Sequence, residues 1–238
     1  MTGAFAHAAP LVPTFPLRMR DTEILTVAYR TDAGAVERFL PPELEAAGDR
    51  VLVHIYRMHD ADWFGRYGES AVHLPVRHPA STTEGVYSPL LYVDSDGAVA
   101  AGREIYGQPK KAARIELAAN GDLLVGKVRR NRIDVATATM PYKQRPADAT
   151  ALDALGFATN INLKVIPAVD GAGAAVHELT AREFANVHVH EVWQGPGTLE
   201  LRPNAQAPMY LLPVLEVESA LHWRADFTLV HGRVLERL

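Results

Sequence analysis

Two adjacent lysines, Lys110 and Lys111, are the residues of this chain best suited to covalent chemistry. They follow Pro109, and the stretch from Ile105 to Ala113 carries no other charge. An amine is nucleophilic at neutral pH only where removal from water or a neighbouring positive charge suppresses its protonation. A lysine in such a place can attack a ketone and form a Schiff base, which then acts as an electron sink. A solvated surface pair is the ordinary alternative, because lysine is almost never fully buried.

The residues before the pair predict where each lysine points. Pro109 has a fixed backbone φ, and it biases Gln108 toward an extended conformation. We therefore expect the chain to enter a strand at the two lysines, where adjacent side chains point to opposite faces. One lysine can then lie in the interior while its neighbour points elsewhere. Removal from water should accordingly matter more for Lys110 than repulsion from Lys111.

The composition is that of an ordinary globular protein. Of its 238 residues, 48% are apolar and 22% are charged, and the net charge of −4 argues against a nucleic-acid partner. There is no cysteine, which excludes disulfides, zinc–thiolate sites and thiol nucleophiles. No apolar run is long enough to cross a membrane, and residues 1–10 lack the basic start of a signal peptide. We expect a cytoplasmic protein without a membrane partner.

Proline and glycine divide the chain into short segments. The 16 prolines and 17 glycines are widely spread, as is typical of many short strands. We predict helices over 33–40 and 99–107, and strands over 22–29, 51–56, 86–93, 113–117, 123–130, 160–166, 176–181, 186–193, 198–201, 215–217 and 223–230. This pattern predicts a mainly β (α+β) fold with a few short helices. We expect a single domain over residues 1–238, with 1–18 as an N-terminal arm.

Several short motifs resemble those of one enzyme family. Gly102-Arg-Glu followed by Pro109-Lys-Lys is similar to the active-site loop of the acetoacetate decarboxylase family. Further similar segments are Val27-Ala-Tyr-Arg-Thr-Asp32, Met58-His-Asp60, Tyr67-Gly-Glu-Ser70, Val135-Ala-Thr-Ala-Thr-Met140, Tyr142-Lys143, Val189-His-Glu-Val-Trp193, Gly195-Pro196, Ala207-Pro208 and Leu212-Pro-Val214. In this order, over roughly residues 20 to 230, they identify the chain as a member of this superfamily.

The resemblance implies a fold and a reaction. The implied fold is an antiparallel β-sheet closed into a cone or barrel, with the lysine inside. In the implied reaction Lys110 forms an imine with a β-keto acid, carbon dioxide leaves, and the resulting enamine is protonated. Lys111 matches the family's neighbouring lysine, and Glu69 matches an active-site glutamate that can move protons or orient substrate. The partner would be a small keto acid, the assembly a homo-oligomer, and neither a cofactor nor a metal is expected.

Two positions depart from the family pattern. Ungapped alignment places His54 where the family has a second active-site glutamate, and Thr22 where it has an arginine. Arg20 is close enough in sequence to replace that arginine. We therefore predict Arg20, His54 and Gln108 as substrate-binding residues. These departures change how a substrate carboxylate is held, so an aldolase-dehydratase acting on an α-keto acid such as pyruvate plus an aldehyde is an alternative.

Two other interpretations are weaker. His188 and His190 lie on one face of a predicted strand and could form half of a metal site, but a third ligand is not identified. The chain could also be a non-catalytic barrel that binds a small ketone or acid. Such a barrel would give no borohydride-trapped adduct with any carbonyl compound.

Overall fold

The computed structural model describes residues 11–153, 155 and 159–238. The predicted arm over 1–18 lies partly outside the described residues. The strands are β1 Leu17–Arg30, β2 Glu45–Ala46, β3 Arg50–Ala61, β4 Gly65–His78, β5 Thr83–Val93, β6 Lys110–Ala112, β7 Arg114–Asn120, β8 Leu123–Arg130, β9 Ile133–Pro141, β10 Arg145–Ala147, β11 Thr159–Pro167, β12 Ala174–Gly195, β13 Thr198–Leu201, β14 Glu216–Leu229 and β15 Arg233–Arg237. The protein is mainly β, as predicted.

The helices are few and short. They are α1 Ala33–Glu37, α2 Asp96–Ala101 and α3 Thr150–Asp153, with 3₁₀ turns at Pro79–Ser81 and Pro208–Leu211 and a π-helical turn, Gly102–Tyr106, that continues α2. Asp32 and Ser95 cap α1 and α2, because their side-chain oxygens accept hydrogen bonds from backbone N–H groups of the first turn. Among the described residues, no helix has the length and apolar character needed to cross a membrane.

Seven strands close into a barrel. Antiparallel pairings join β4, β3, β1, β14, β12 and β11 in that order, β11 pairs with β5, and β5 pairs back to β4. The implied antiparallel barrel is therefore confirmed except at two parallel pairings, β5 with β11 and β5 with β6. The second pairing is parallel because the chain crosses from β5 to β6 through α2 and the π-helical turn.

A second sheet packs against the outside of the barrel. It has the order β13-β9-β8-β7 and contributes Leu124, Val128 and Ala138 to an apolar core shared with the barrel strands. The two sheets come close at Gly126, where a Cβ atom would lie 2.6 Å from Cδ1 of Ile55. A second apolar cluster fills the other face of the barrel strands and surrounds the cavity described below.

The sequence prediction was least accurate for long strands. Strand β4 was not predicted as a strand, and the predicted strands 176–181 and 186–193 are parts of one strand, β12. In β4, Gly68 and Pro75 interrupt a pattern that would otherwise indicate a strand. In β12, Asn186 has a positive φ, and the register with β14 shifts between Ala185 and His188. The strand therefore continues through an irregularity.

Candidate active site

Lys110 and Glu69 are brought together across strands β4, β5 and β6. Ala71 lies opposite Leu91, and Leu91 lies opposite Lys110. Glu69, two residues before Ala71, projects from the same face of the sheet. The Lys110 Nζ atom donates a hydrogen bond to Oε2 of Glu69 at 2.8 Å, and each side chain is only 8% exposed. The pair is thus held in contact where little water reaches it.

Lys111 points to the opposite face, as the sequence predicted. It lies opposite Tyr92 on β5, and its Nζ atom donates to the backbone carbonyl of Gln206 at 3.1 Å. Its side chain is half-buried and does not line the cavity that contains Lys110. The structure therefore does not bring Lys111 together with Glu69 and Lys110.

The turn before the lysines positions Gln108. The π-helical turn ends at Gly107, which has a φ of 77°, and a Cβ atom there would lie 2.3 Å from Cβ of Lys164. Glycine is required at this position on both counts. Next to it, buried Gln108 donates through Nε2 to Oδ1 of Asn160 at 3.3 Å. Asn160 in turn donates to Ser88 Oγ at 2.6 Å. Gln108 thus lies beside Lys110, and its side-chain amide is oriented by the hydrogen bond to Asn160.

A cavity inside the barrel contains these groups. Its volume is about 40 Å³, and its lining comes mainly from barrel strands and the segment before β6. The lining residues are Phe15, Met19, Tyr56, Met58, Phe64, Tyr67, Glu69, Ala71, His73, Leu91, Ala98, Ala101, Gly102, Tyr106, Gln108, Lys110, Arg182, Phe184, Phe227 and Leu229.

Burial raises the pKa of Tyr106 to about 12, and it raises the pKa of Tyr56 and Tyr67 further. These hydroxyls are therefore uncharged at neutral pH.

Arg20, a predicted substrate-binding residue, does not line the cavity, and neither does Thr22, which occupies the position of the family's arginine. Arg20 extends from β1 to Asp60 and Asp62, with contacts of 2.9 and 2.7 Å, and lies in a separate surface depression. Its neighbour Met19 faces the cavity instead, because adjacent strand residues alternate between faces. The Thr22 hydroxyl lies 3.4 Å from Met58 Sδ and is fully buried.

His54 packs behind the cavity wall. Its ring lies 4.8 Å from that of His73, and Thr26 Oγ1 lies 2.9 Å from its Nδ1. Trp223 Nε1 donates to the same hydroxyl at 3.0 Å, which leaves the hydroxyl hydrogen free to donate to His54. Burial lowers the pKa of His54 to about 3, so the ring is neutral. His54 is not among the residues that line the cavity, whereas His73 is, and substrate binding by His54 stays a prediction.

Comparison with known proteins identifies the family. The model of the family described as acetoacetate decarboxylase matches residues 6–238. The chain is 39% identical over 232 residues to the acetoacetate decarboxylase of Chromobacterium violaceum, covering 98% of this chain and 93% of the relative. The chain belongs to the acetoacetate decarboxylase family. The relatives' names support an enzyme of that type.

Two solved structures show how far the likeness extends. The crystal structure of acetoacetate decarboxylase from Legionella pneumophila superposes with a TM-score of 0.91 at 36% identity, covering 98% of this chain and 94% of that one. An enduracididine biosynthesis enzyme complexed with pyruvate has a TM-score of 0.78 at 22% identity, covering 97% and 94%. The second likeness shows that this family shares its fold with more distant enzymes.

Two basic residues in the cavity lining of this family member, His73 and Arg182, were not predicted from the sequence. His73 lies two residues beyond Ala71 on β4, and burial lowers its pKa well below the usual value, with His54 and Arg182 acting in the same direction. Arg182 lies on β12 opposite Asn160, and its side chain is also buried. No local motif marks either residue. A correct strand prediction for β4 would have placed His73 on the same face as Glu69.

The histidine pair that could form half of a metal site has no third ligand arranged beside it among the described residues. The rings of His188 and His190 are 4.9 Å apart and edge-on, and His190 Nε2 lies 2.9 Å from Oδ1 of Asp226. Within residues 11–153, 155 and 159–238, no group of three acidic, histidine or cysteine side chains is arranged to hold a metal ion. These histidines interact with each other and with β14.

Proposed function

We propose that this member of the acetoacetate decarboxylase family is a lyase that decarboxylates a β-keto acid, acetoacetate or a relative, through an imine at Lys110. The observation that carries the proposal is the 2.8 Å contact between Lys110 Nζ and Glu69 Oε2 inside the barrel cavity. It places a primary amine and a proton acceptor together where carbonyl substrates can be sheltered from water. The names of the relatives, acetoacetate decarboxylases at 37–39% identity, support the same reaction.

Glu69 supplies the proton transfers that imine formation requires. An ammonium group has no lone pair, so Lys110 must lose a proton before it attacks, and Glu69 accepts that proton directly. Transfer converts a buried ion pair into a neutral amine and a carboxylic acid, which removes the cost of keeping two charges out of water. The same acid then returns its proton to the carbinolamine oxygen, which leaves as water.

The protonated imine then accepts the electrons released by decarboxylation. The bond between the α carbon and the carboxylate breaks, its electron pair forms the enamine double bond, and carbon dioxide departs. A proton added to the α carbon regenerates an imine, and water releases the ketone and free Lys110. The nitrogen itself is the electron sink, so the proposed reaction uses no cofactor.

Borohydride trapping tests the proposal. The protein is incubated with acetoacetate, reduced, and weighed before and after peptide digestion, while carbon dioxide release is measured in parallel. We expect one adduct, on the peptide that contains Lys110. Lys110→Ala, which lacks the amine, and Lys110→Arg, whose guanidinium stays protonated, should give neither adduct nor carbon dioxide. An adduct on Lys143 or Lys111 would refute the assignment.

Product analysis separates this reaction from an aldolase-dehydratase reaction. The alternative keeps the Schiff-base lysine but joins pyruvate to an aldehyde and eliminates water. The unsaturated product of that reaction absorbs in the ultraviolet, whereas decarboxylation of a β-keto acid releases carbon dioxide. Condensation product without carbon dioxide from any β-keto acid would overturn the proposal in favour of the alternative.

A further inference from the structure

We infer that Arg182 binds the substrate's carboxylate and makes this cavity selective for anionic keto acids over neutral ketones. The inference rests on the proposed function, because it concerns the ligand of the same cavity. Arg182 lies on β12, a strand that contributes none of the predicted catalytic or substrate-binding residues. The guanidinium of Arg182 lines the cavity, whereas Arg20 lies outside the cavity and Thr22 occupies the position of the family's arginine.

Arg182 is a buried cation without a counter-ion. The residue is 8% exposed, and its Nε and Nη1 atoms are buried without hydrogen-bond partners. In the described part of the chain no carboxylate pairs with it. Because a guanidinium keeps its charge, such a group is costly unless a ligand satisfies its donors.

Aromatic rings hold the guanidinium in place and satisfy it only in part. Its Cζ atom lies 4.5 Å from the ring centre of Phe184 and 5.5 Å from that of Tyr106, and all three residues line the cavity. A ring face attracts a cation but accepts no directed hydrogen bond from its N–H groups. The rings thus fix the planar fork while its donors remain available to a planar acceptor.

The charges in the cavity match a monoanion. Lys110 and Glu69 compensate each other, His73 and the tyrosines are uncharged, and Arg182 contributes the one unbalanced charge of the lining. A keto acid brings one negative charge in its carboxylate and one carbonyl for the lysine. With the carboxylate at Arg182, the buried guanidinium gains a counter-ion, and the carbonyl group of the same keto acid is available to Lys110 in the same cavity.

Non-reactive ligands test the carboxylate site without any imine chemistry. Titration calorimetry with butanoate and butanamide is performed on the wild type, Arg182→Met, Arg182→Lys and the surface control Arg202→Met, whose guanidinium pairs with Glu200. We expect the wild type and Arg202→Met to prefer butanoate. Arg182→Met should weaken butanoate binding about 10- to 100-fold, the usual effect of losing hydrogen bonds between charged groups, with little change for butanamide.

Trapping with matched carbonyl compounds tests the same selectivity during the reaction. Acetoacetate and acetoacetamide have nearly the same shape and differ in charge, and the concentration that gives half-maximal borohydride trapping is compared. Arg182→Met should raise this concentration for acetoacetate about 10- to 100-fold and leave acetoacetamide within about threefold. Equal losses for both compounds, or an unchanged preference for the acid, would overturn the inference.

The remaining outcomes are also decisive. If Arg182→Met does not fold, Arg182→Lys tests whether the paired N–H donors of the guanidinium are needed, because lysine keeps the charge but not the bidentate geometry. If Arg182→Lys prefers the acid over the amide as strongly as the wild type does, bidentate binding of the carboxylate by Arg182 is refuted. Butanoate binding that depends on Arg182, with no adduct from any keto acid, would refute the proposed reaction and support this inference. An adduct at Lys110 whose preference for the acid does not depend on Arg182 would support the proposed reaction and refute this inference.

Discussion

Gly102 packs directly against the alkyl chain of Lys110. A Cβ atom at Gly102 would lie 2.5 Å from Cδ and 2.8 Å from Cε of the lysine, and 3.0 Å from Oε1 of Gln108. The backbone of Gly102 is helical, with a φ of −63°, so glycine is not needed there for its conformation. It is needed for space, because the lysine reaches Glu69 by passing over this residue.

We therefore expect Gly102→Ala to displace the lysine amine without unfolding the protein. Alanine is the better helix former, whereas a shift of about 1 Å at a reacting atom can cost about 100-fold in rate. Decarboxylation and trapping rates should fall by about that factor while the melting temperature changes little. Gly195→Ala is the control, since its added Cβ meets nothing closer than 3.5 Å. A fully active Gly102→Ala would show that the observed lysine path is not required.

Lys111→Gln should retain most of the activity. Its amine points away from the cavity and contacts the backbone carbonyl of Gln206, so its charge is separated from Lys110 by the sheet. We expect steady-state decarboxylation within about threefold of the wild type at pH 7, since screened charges at such a distance interact weakly. Loss of imine formation that is restored at high pH would instead mean that charge repulsion from Lys111 activates the neighbouring lysine.

Glu69→Gln should show how much of the activity depends on proton transfer by the Glu69 carboxylate, because the substitution keeps the size of the side chain. Glutamine preserves the length of the side chain but cannot accept the proton of Lys110, so imine formation at pH 7 should slow by about 100- to 10,000-fold. Part of the rate should return as the pH rises, because hydroxide then removes the proton that Glu69 no longer takes. The paired surface residue Glu45, changed to Gln, is the control. A pH-independent loss would assign Glu69 to substrate orientation alone.

The sequence predicted the lysine and glutamate better than it predicted the rest of the cavity. Lys110 and Glu69 each lie in a short motif, and Pro109 gives a local reason for the strand that follows. Arg182 and His73 come from strands in which hydrophobic alternation is broken, and only the barrel register brings them to the same cavity.

Arg20 and His54, which do not line the cavity, show why linear proximity is a poor guide in a barrel. Arg20 is one residue from Met19, which lines the cavity, and this single step moves its side chain to the outer face. His54 lies two residues from Tyr56, which lines the cavity, yet His54 itself packs against the His73 ring and does not line the cavity. For Arg20, the alternation of faces along a strand would have shown the distinction once the strand was placed, whereas for His54 it depends on packing inside the barrel.

Buried His54 and His73, whose pKa values are lowered by burial, make stability depend on pH below neutrality. Burial lowers the pKa of His54 to about 3, whereas an unfolded histidine titrates near about 6.5. Between these values the unfolded chain binds a proton that the folded chain excludes, so the free energy of unfolding falls as the pH falls, by up to about 1.4 kcal/mol per pH unit for each such histidine. Above about pH 6.5 neither state binds the proton, and this contribution is constant.

His54→Gln should therefore flatten this dependence. We expect the free energy of unfolding, measured by urea denaturation from pH 7 to pH 4.5, to fall less steeply than in the wild type by about 1 kcal/mol per pH unit. His177→Gln, at an exposed position, controls for removal of a histidine as such. Parallel curves for His54→Gln and the wild type would show that His54 is protonated in the folded protein.

Asn160 should affect the reaction by holding Gln108. Its Oδ1 atom accepts from Gln108 Nε2 at 3.3 Å and from Asn162 Nδ2 at 3.2 Å, while its own amide donates to Ser88. Asn160→Ala would release the Gln108 amide and leave buried polar groups unsatisfied. We expect a loss of about 1–3 kcal/mol in the free energy of unfolding and a fall of about 10-fold in kcat/KM.

A double-mutant cycle shows whether the activity loss is transmitted through Gln108. If Asn160 acts only by orienting that amide, Asn160→Ala should have little further effect on kcat/KM in a Gln108→Leu background, although it should still lower stability. Additive losses of activity would mean that Asn160 acts on the cavity by another route, such as its position opposite Arg182. Because stability and activity are measured on the same four proteins, a general weakening of the barrel, which would lower both together, is distinguished from loss of one orienting hydrogen bond.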